Sequence, residues 1–200
     1  MQPISYYKDL HKGKNIFILA SGPSLADLDL SLLRNKIVMG LNRSTMVYPS
    51  PYYQCVFDHR LFDLYYDAYK NVRQLFTLEN RPLGLPLKLL GGEGFSTDLE
   101  EGIYSGYTIS FFALQVAVYM GFKRIFFLGL DLKHAGPNTH FFGKDPQTSN
   151  HEQTEFPKMI KMLNYGASKL ASLDVEVYNC SPISTLEKFS KITYSEALSY

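Results

Sequence analysis

The sequence has no excess of charge of one sign, few cysteines and no tryptophan. Lys plus Arg number 20 and Asp plus Glu number 19, which leaves a net charge of +1. This balance argues against a nucleic-acid partner held by electrostatics. Cys55 and Cys180 are too few for a disulfide scaffold. We therefore expect a reduced, cytoplasmic setting.

Long apolar runs are also missing. The longest, residues 109–122, is interrupted by polar residues and is shorter than the roughly 20 apolar residues that a membrane span requires. Residues 1–14 are polar and lack the apolar core of a signal peptide. We expect no membrane span, so any contact with a membrane lipid would be peripheral.

The chain does have enough apolar residues for a core, at 46% hydrophobic and 14% aromatic over 200 residues. Short apolar runs alternate with helical stretches, which predicts one α/β domain over residues 1–200. We expect a Rossmann-like open, mostly parallel sheet with helices on both faces. The predicted strands are 15–20, 37–41, 53–57, 74–77, 124–130 and 175–178. The predicted helices are 25–33, 60–72, 108–120 and 156–170, and residues 186–198 are predicted to form a short helix or a turn.

Two segments differ from this pattern. Residues 79–107 are rich in glycine and proline and predict a loop-rich insertion. Residues 133–154 form a second polar stretch that holds three of the five histidines. We interpret it as a lid-like loop that closes over a substrate and excludes water.

Polar residues follow the predicted strands where each strand ends, at Ser21-Gly22, Asn42, Asp58, Asp131 and Asn179. In an open parallel sheet, ligands bind in the crevice outside these carboxyl ends. Each residue taken singly also suits an ordinary turn. Their number favours a shared site.

The turn Ser21-Gly22-Pro23-Ser24 is the most informative of these strand ends. Gly22 allows backbone to approach a ligand closely, and Pro23 suits the first position of a helix, whose N–H groups attract anions. Ser24 could add a hydroxyl. The turn matches neither GxGxxG nor a Walker loop. Taken alone, it fits a tight turn as well as a phosphate cradle.

The stretch from Phe17 to Leu25 resembles the "NGPSL" opening of one bacterial superfamily. That superfamily includes the lipooligosaccharide sialyltransferases and the 6-hydroxymethylpterin diphosphokinase-like, or motility-accessory-factor, proteins. The resemblance continues through Thr108 to Leu132, with Met120-Gly121-Phe122 and Gly129-Leu130-Asp131, and returns at Tyr178 to Ser184. Segment 79–107 carries no matching motif.

The resemblance implies roles for individual residues. Those assigned to the nucleotide are Ser21, Gly22, Pro23, Ser24, Asn42, Thr108, Ser110 and Asp131, with Ser21 standing where the family often has Asn. The sialyltransferases stabilise the leaving phosphate with two tyrosines. Here Lys133, His134 and His140 stand near that place, and cationic or imidazolium donors suit a departing phosphate. His151, ahead of a predicted helix, is the candidate general base.

Metal chemistry has little support in the sequence. The spacing of His134, His140 and His151 matches no standard zinc site. Asp131, at the end of its strand, has no Asp two residues away, unlike the Asp-x-Asp pair of metal-dependent glycosyltransferases. We therefore expect no cofactor. A diphosphokinase would need Mg²⁺, which Asp58 and Asp131 could hold if they converge.

Three functions follow from this reading. The first is a metal-independent glycosyltransferase of bacterial surface glycan biosynthesis, taking a nucleotide-sugar donor such as a CMP-sugar and a glycan acceptor. The second is an ATP- and Mg²⁺-dependent diphosphokinase. The third is a non-catalytic module that binds a nucleotide or glycan. The aromatic residues suit either a core or a subunit contact, so a homo-oligomer stays open.

Overall fold

The structure is a computed structural model that describes residues 2–133, 138–144 and 149–200, and for residues 149–153 it describes the backbone. The strands are Asn15–Leu19 (β1), Val38–Leu41 (β2), Tyr53–Cys55 (β3), Leu75–Leu78 (β4), Leu85–Leu87 (β5), Leu89–Gly91 (β6), Ile103–Tyr104 (β7), Arg124–Leu128 (β8), Glu176–Asn179 (β9) and Ser190–Lys191 (β10). The α-helices are His59–Lys70 (α1), Ile109–Tyr119 (α2), Ser149–Leu170 (α3) and Tyr194–Leu198 (α4).

Eight strands form one open sheet in the order β10-β9-β8-β1-β2-β3-β4-β5, and all neighbours are parallel. β1 and β8 lie side by side and are apolar on both faces, as expected of central parallel strands. The chain runs outward from β1 through β2 to β5, then crosses to β8 on the other side of β1. The chain therefore reverses its direction across the sheet at the pair β1/β8. This is the topological switch point, and open α/β sheets bind ligands outside the carboxyl ends of the strands there.

Helices cover both faces of this sheet, which confirms the predicted fold class. Alternation along the strands sends Ile16 and Ile18 to the face covered by α2 and α3, and Phe17 and Leu19 to the opposite face. α4 and the turns after β1 pack on that opposite face, and α1 covers the same side near β3 and β4. α2 is buried almost all round, since only Val118 among its residues is partly exposed.

The structure corrects three local predictions. The helix expected at 25–33 is instead two 3-10 turns, Pro23–Asp27 and Leu30–Leu33. Segment 79–107 contains strands, since β5 extends the main sheet and β6 pairs with β7. α3 begins at Ser149, so the region expected to be a loop up to residue 154 ends in helix.

The first correction has a local cause. The Asp29 side chain accepts a hydrogen bond from the Ser31 backbone N–H at 3.0 Å and so caps the second 3-10 turn. Short aspartate side chains compete in this way with the hydrogen bonds of a continuous helix. The apolar spacing of the segment still buries Leu25 and Leu33.

Among the described helices, none is long and apolar enough to cross a membrane.

Candidate active site

A cleft of about 440 Å³ opens at the carboxyl ends of β1, β2 and β8. Its volume lies in the range of about 300–1,000 Å³ that small-molecule sites occupy. The N-terminal end of α2 and the residues of α3 from Glu155 to Met159 form one wall. The other wall is built from Arg43 and the first turns of α1. This cleft is thus at the switch point of the sheet.

The cleft brings together most of the residues that the sequence singled out. Those that line it are Ser21, Gly22, Asn42, Thr108, Ser110, Asp131, Lys133 and His140. Pro23 and Ser24 do not line it. Asp58 lines it as well, whereas Asn179 is fully buried elsewhere in the sheet.

Asp131 binds two other strand ends to the end of β8. Its carboxylate accepts hydrogen bonds from the Ser24 N–H at 2.9 Å, from the Ser24 hydroxyl at 2.5 Å and from the Ser181 hydroxyl at 2.5 Å. The Asp131 side chain is only 2% exposed. We call Asp131, Ser24 and Ser181 the Asp131 cluster. It fastens the chain after β1 and after β9 to the chain after β8.

This geometry corrects the expectation that the turn after β1 offers free N–H groups to an anion. The Ser24 N–H is taken by Asp131, and the Gly22 N–H donates to the Gly129 carbonyl at 2.8 Å. A Cβ on Gly22 would lie 2.5 Å from the Asp131 carboxylate and from the Gly129 carbonyl oxygen. Glycine is required here for contact within the chain. Roles for Pro23 and Ser24 in nucleotide binding stay predictions.

Asn42 directly follows β2 and has a left-handed backbone conformation, with a φ of 47°. Asparagine tolerates this region better than most residues. Its backbone carbonyl accepts hydrogen bonds from Gln54 and Tyr69, and its side-chain Oδ1 is buried without a hydrogen-bond partner among the described residues. We call Asn42, Gln54, Tyr69 and the neighbouring Ser44 the Asn42 cluster.

The wall formed by α2 presents polar groups and an aromatic ring. Thr108 caps the helix, because its side chain accepts from the Ser110 N–H at 3.3 Å. Ser110 is 3% exposed and still lines the cleft. Tyr107, just before the cap, has a φ of 60°, which is unusual for a bulky residue. Backbone strain of this kind is often found at functional sites.

The opposite wall is partly cationic. Arg60 pairs with Asp58 at 2.6 Å, and Asp58 caps α1 by accepting from the Arg60 N–H at 3.1 Å. Burial by itself would raise the pKa of Asp58, but hydrogen bonds from Arg60 and its charge outweigh this effect, so the pKa is lowered. Arg43 adds a second guanidinium, and Lys133 an exposed ammonium.

Residues 138–144 contribute an aromatic contact near the mouth of the cleft. The Phe141 N–H donates to the Ser21 carbonyl at 3.1 Å, which attaches the segment to the end of β1. The His140 ring stacks on Phe142 at 4.7 Å, and the Arg43 guanidinium lies 4.8 Å from the centre of the Phe142 ring. His140 is half-buried, packs against Phe142 and lines the cleft.

Catalytic roles for Lys133, His134, His140 and His151 stay predictions, and the structure does not describe the side chains of two of them. His134 lies outside the described residues. His151 lies within the first turn of α3 rather than ahead of it, and its side chain lies outside what the structure describes. Within the described residues, no group of three or more His, Cys, Asp or Glu side chains is placed to hold a metal ion.

The sequence reading missed several residues of the site. Arg43 and Tyr107 line the cleft and stand directly beside Asn42 and Thr108, so their position along the chain was an available signal. Ser181 also follows a strand end closely. Gln54 and Tyr69 act from within β3 and α1, where no local pattern marks them.

The fold is similar to that of the sialyltransferase CstII from Campylobacter jejuni. In complex with cytidine-5'-monophosphate, that enzyme matches with a TM-score of 0.56 and 17% sequence identity, over 91% of this chain and 86% of that chain. In complex with CMP-3FNeuAc it matches with a TM-score of 0.54 and 15% identity, over 90% of this chain and 86% of that chain. No protein-family model matches the sequence, and no curated protein is significantly similar to it.

At these identities the likeness shows a shared fold. It supports the sialyltransferase half of the resemblance seen in the sequence at the level of architecture. The likeness to motility accessory factors stays a prediction.

Proposed function

We propose that the protein is a metal-independent glycosyltransferase that uses a nucleotide-sugar donor. One observation carries the proposal: a cleft at the β1/β8 switch point collects the residues predicted from the sequence, in a fold similar to that of an enzyme solved with CMP and a CMP-sugar analogue. The polar floor at Ser21, Asn42 and Ser110 suits a nucleotide. The donor that we expect is a CMP-sugar.

The proposed reaction is a substitution at the anomeric carbon of the donor sugar. The acceptor hydroxyl oxygen forms a bond to this carbon while the bond from the carbon to the phosphate oxygen breaks, and its electron pair stays on the phosphate. Lys133 and His140 would stabilise that charge, because donors placed where charge develops lower the barrier. His151 would take the proton from the acceptor hydroxyl. Asp131 would contribute by holding the strand ends in place.

The acceptor that we expect is a glycan of the bacterial surface, processed in the cytoplasm. The aromatic and apolar residues near the mouth of the cleft, among them Tyr107, Phe142 and Leu64, would contact the sugars. Leu64 is 62% exposed, so this rim is accessible.

The first experiment is a thermal-shift screen against CMP, CDP, UDP, GDP, ADP and ATP, each with and without Mg²⁺. A ligand that binds the native state raises the melting temperature by mass action. We expect a rise with CMP that is independent of Mg²⁺. A rise with ATP that requires Mg²⁺ would favour a diphosphokinase, and no rise with any nucleotide would contradict the proposal.

Turnover is tested next, by hydrolysis and transfer from a CMP-sugar. We expect Asn42→Ala to weaken CMP binding, whereas Asn71→Ala, at an exposed asparagine that ends α1, serves as the matched control. His151→Ala should abolish transfer while CMP still binds. If CMP binds but wild-type protein neither hydrolyses nor transfers the sugar, the chain is a binding module.

A further inference from the structure

We infer that Gln54 and Tyr69 are positioning residues that set the orientation of Asn42 for nucleotide recognition. The inference rests on the proposed function, in which Asn42 contacts the donor. Neither Gln54 nor Tyr69 lines the cleft, and both are buried, at 0% and 2% exposure. They act on Asn42 from behind it.

The first support is the pair of hydrogen bonds on one backbone atom. The Gln54 Nε2 donates to the Asn42 carbonyl oxygen at 2.8 Å, and the Tyr69 hydroxyl donates to the same oxygen at 3.1 Å. Because both donors are buried, water competes little for these two hydrogen bonds. Together they fix the peptide that follows Asn42.

The second support is the left-handed backbone conformation of Asn42, which the fixed peptide helps to hold. A residue with a φ of 47° directs its side chain differently from an extended strand residue. Without tertiary contacts, an L-residue, asparagine included, populates the left-handed region less than the extended region. The two hydrogen bonds favour this left-handed conformation of Asn42, a residue that lines the cleft.

The third support is the space that the sheet leaves for Gln54. Gly40 pairs with Gln54 in the parallel register of β2 and β3. A Cβ on Gly40 would overlap the Gln54 Oε1 and the Ser44 hydroxyl. A glycine in the middle of a buried strand is thus explained by the side chain that reaches across it to Asn42.

The fourth support is unused hydrogen-bonding capacity. The Oδ1 of Asn42, the Oε1 of Gln54 and the hydroxyls of Ser44 and Thr45 are buried without hydrogen-bond partners among the described residues. A purely structural cluster would be expected to satisfy most of these atoms. Of these residues Asn42 lines the cleft, so a ligand there would meet Asn42, whereas Gln54, Ser44 and Thr45 do not line it.

The test is a double-mutant cycle on CMP affinity, measured by calorimetry on the full chain. Asn42→Gly keeps the left-handed backbone accessible and removes the amide, and Tyr69→Phe removes one hydroxyl with the ring retained. We expect Asn42→Gly to weaken CMP binding about tenfold and Tyr69→Phe about threefold, in line with the loss of single hydrogen bonds. In the double variant, Tyr69→Phe should add nothing to Asn42→Gly.

Gln54→Met gives a second variant that keeps the side-chain shape and should weaken CMP binding about as much as Tyr69→Phe. The matched control is Tyr53→Phe. Tyr53 is equally buried, and its hydroxyl bonds to His11 Nε2 instead of Asn42. Tyr53→Phe should lower the melting temperature and leave CMP affinity unchanged.

The outcomes separate the two proposals. If wild-type protein binds no CMP, the proposed function fails. If CMP binds and Asn42→Gly weakens it, but Tyr69→Phe and Gln54→Met do not, the positioning inference is overturned and the proposed function stands. The inference is also overturned if Tyr69→Phe weakens binding equally with and without the Asn42 side chain.

Discussion

Two polar clusters lie behind the same cleft, each lining it through one residue, Asp131 or Asn42, and they differ in how completely their hydrogen bonds are satisfied. In the Asp131 cluster the carboxylate accepts three hydrogen bonds from Ser24 and Ser181. In the Asn42 cluster, oxygens of Asn42, Gln54 and Ser44 are buried without partners among the described residues. A fully satisfied cluster stabilises the fold, whereas the Asn42 cluster reaches the cleft through Asn42, where a ligand would contact it.

The largest effect that we predict comes from removing the centre of the saturated cluster. Asp131→Ala should lower the free energy of unfolding by roughly 3–5 kcal/mol, because one buried donor of Ser181 and two partly buried donors of Ser24 lose their acceptor. Urea unfolding measures this. Asp27→Ala, at an exposed aspartate, should change stability by less than about 0.5 kcal/mol. An Asp131→Ala variant as stable as the wild type would contradict the structural role of the cluster.

The next prediction compares the glycine that packs against each cluster, Gly22 against Asp131 and Gly40 against Gln54. Gly22→Ala should cost about 2–3 kcal/mol of stability, because the added methyl meets the Gly129 backbone carbonyl and the fixed Asp131 carboxylate. Gly40→Ala meets side-chain atoms of Gln54 and Ser44, which can move, and should cost about 1–2 kcal/mol.

Ligand affinity should separate the same two glycine variants. Gly40→Ala displaces Gln54 from Asn42, so among variants that remain folded it should show the larger loss of CMP affinity per kcal/mol of stability lost. If the ratio of affinity loss to stability loss is equal in the two variants, the two clusters do not differ in their effect on ligand binding.

A smaller effect is expected at the cleft wall, outside both clusters. Asp58→Ala removes the cap of α1 and should cost about 1 kcal/mol at neutral pH. Because the pKa of Asp58 is lowered below its ordinary value of 3.8, its contribution is present above that value and is lost as pH falls through the folded-state pKa. Unfolding experiments on the wild type and Asp58→Ala should therefore converge in acid.

The smallest predicted effect lies at the amino end of β3, away from the cleft. His11 is 7% exposed, stacks on Phe122 at 4.7 Å and bonds to the Tyr53 hydroxyl. Burial, with a smaller contribution from Lys14, lowers its pKa below the ordinary 6.5. Between the two pKa values the unfolded chain binds more protons, so stability is full above about pH 6.5 and declines as pH falls towards the folded-state pKa.

His11→Gln removes this titration while it keeps polar atoms. The fall in melting temperature from about pH 7.5 to about pH 5.5 should be smaller in the variant than in the wild type. An equal fall in both proteins would show that other groups dominate acid sensitivity in this range.

Much of the architecture was readable from local pattern. The apolar run at 124–130 predicted β8, and the apolar stretch at 108–120 predicted α2 to within one residue at each end. The helix predicted at 25–33 was wrong, because the apolar spacing of this segment is the same as that of a helix while Asp29 caps a separate turn. The weak strands β5, β6 and β7 were not predicted, since they have two or three residues each and form only through their partners.

Local patterns in the chain were enough to predict that an α/β sheet would form and that polar residues would gather at the carboxyl ends of its strands. These features depend on apolar periodicity and on which residues can leave a strand. Only the tertiary structure decided which strand ends meet and what each polar group bonds to. Asp131 reaches partners 107 and 50 positions away, and Tyr69 reaches Asn42 from another element. Such pairings follow from chain crossing and packing, which no local stretch of sequence encodes.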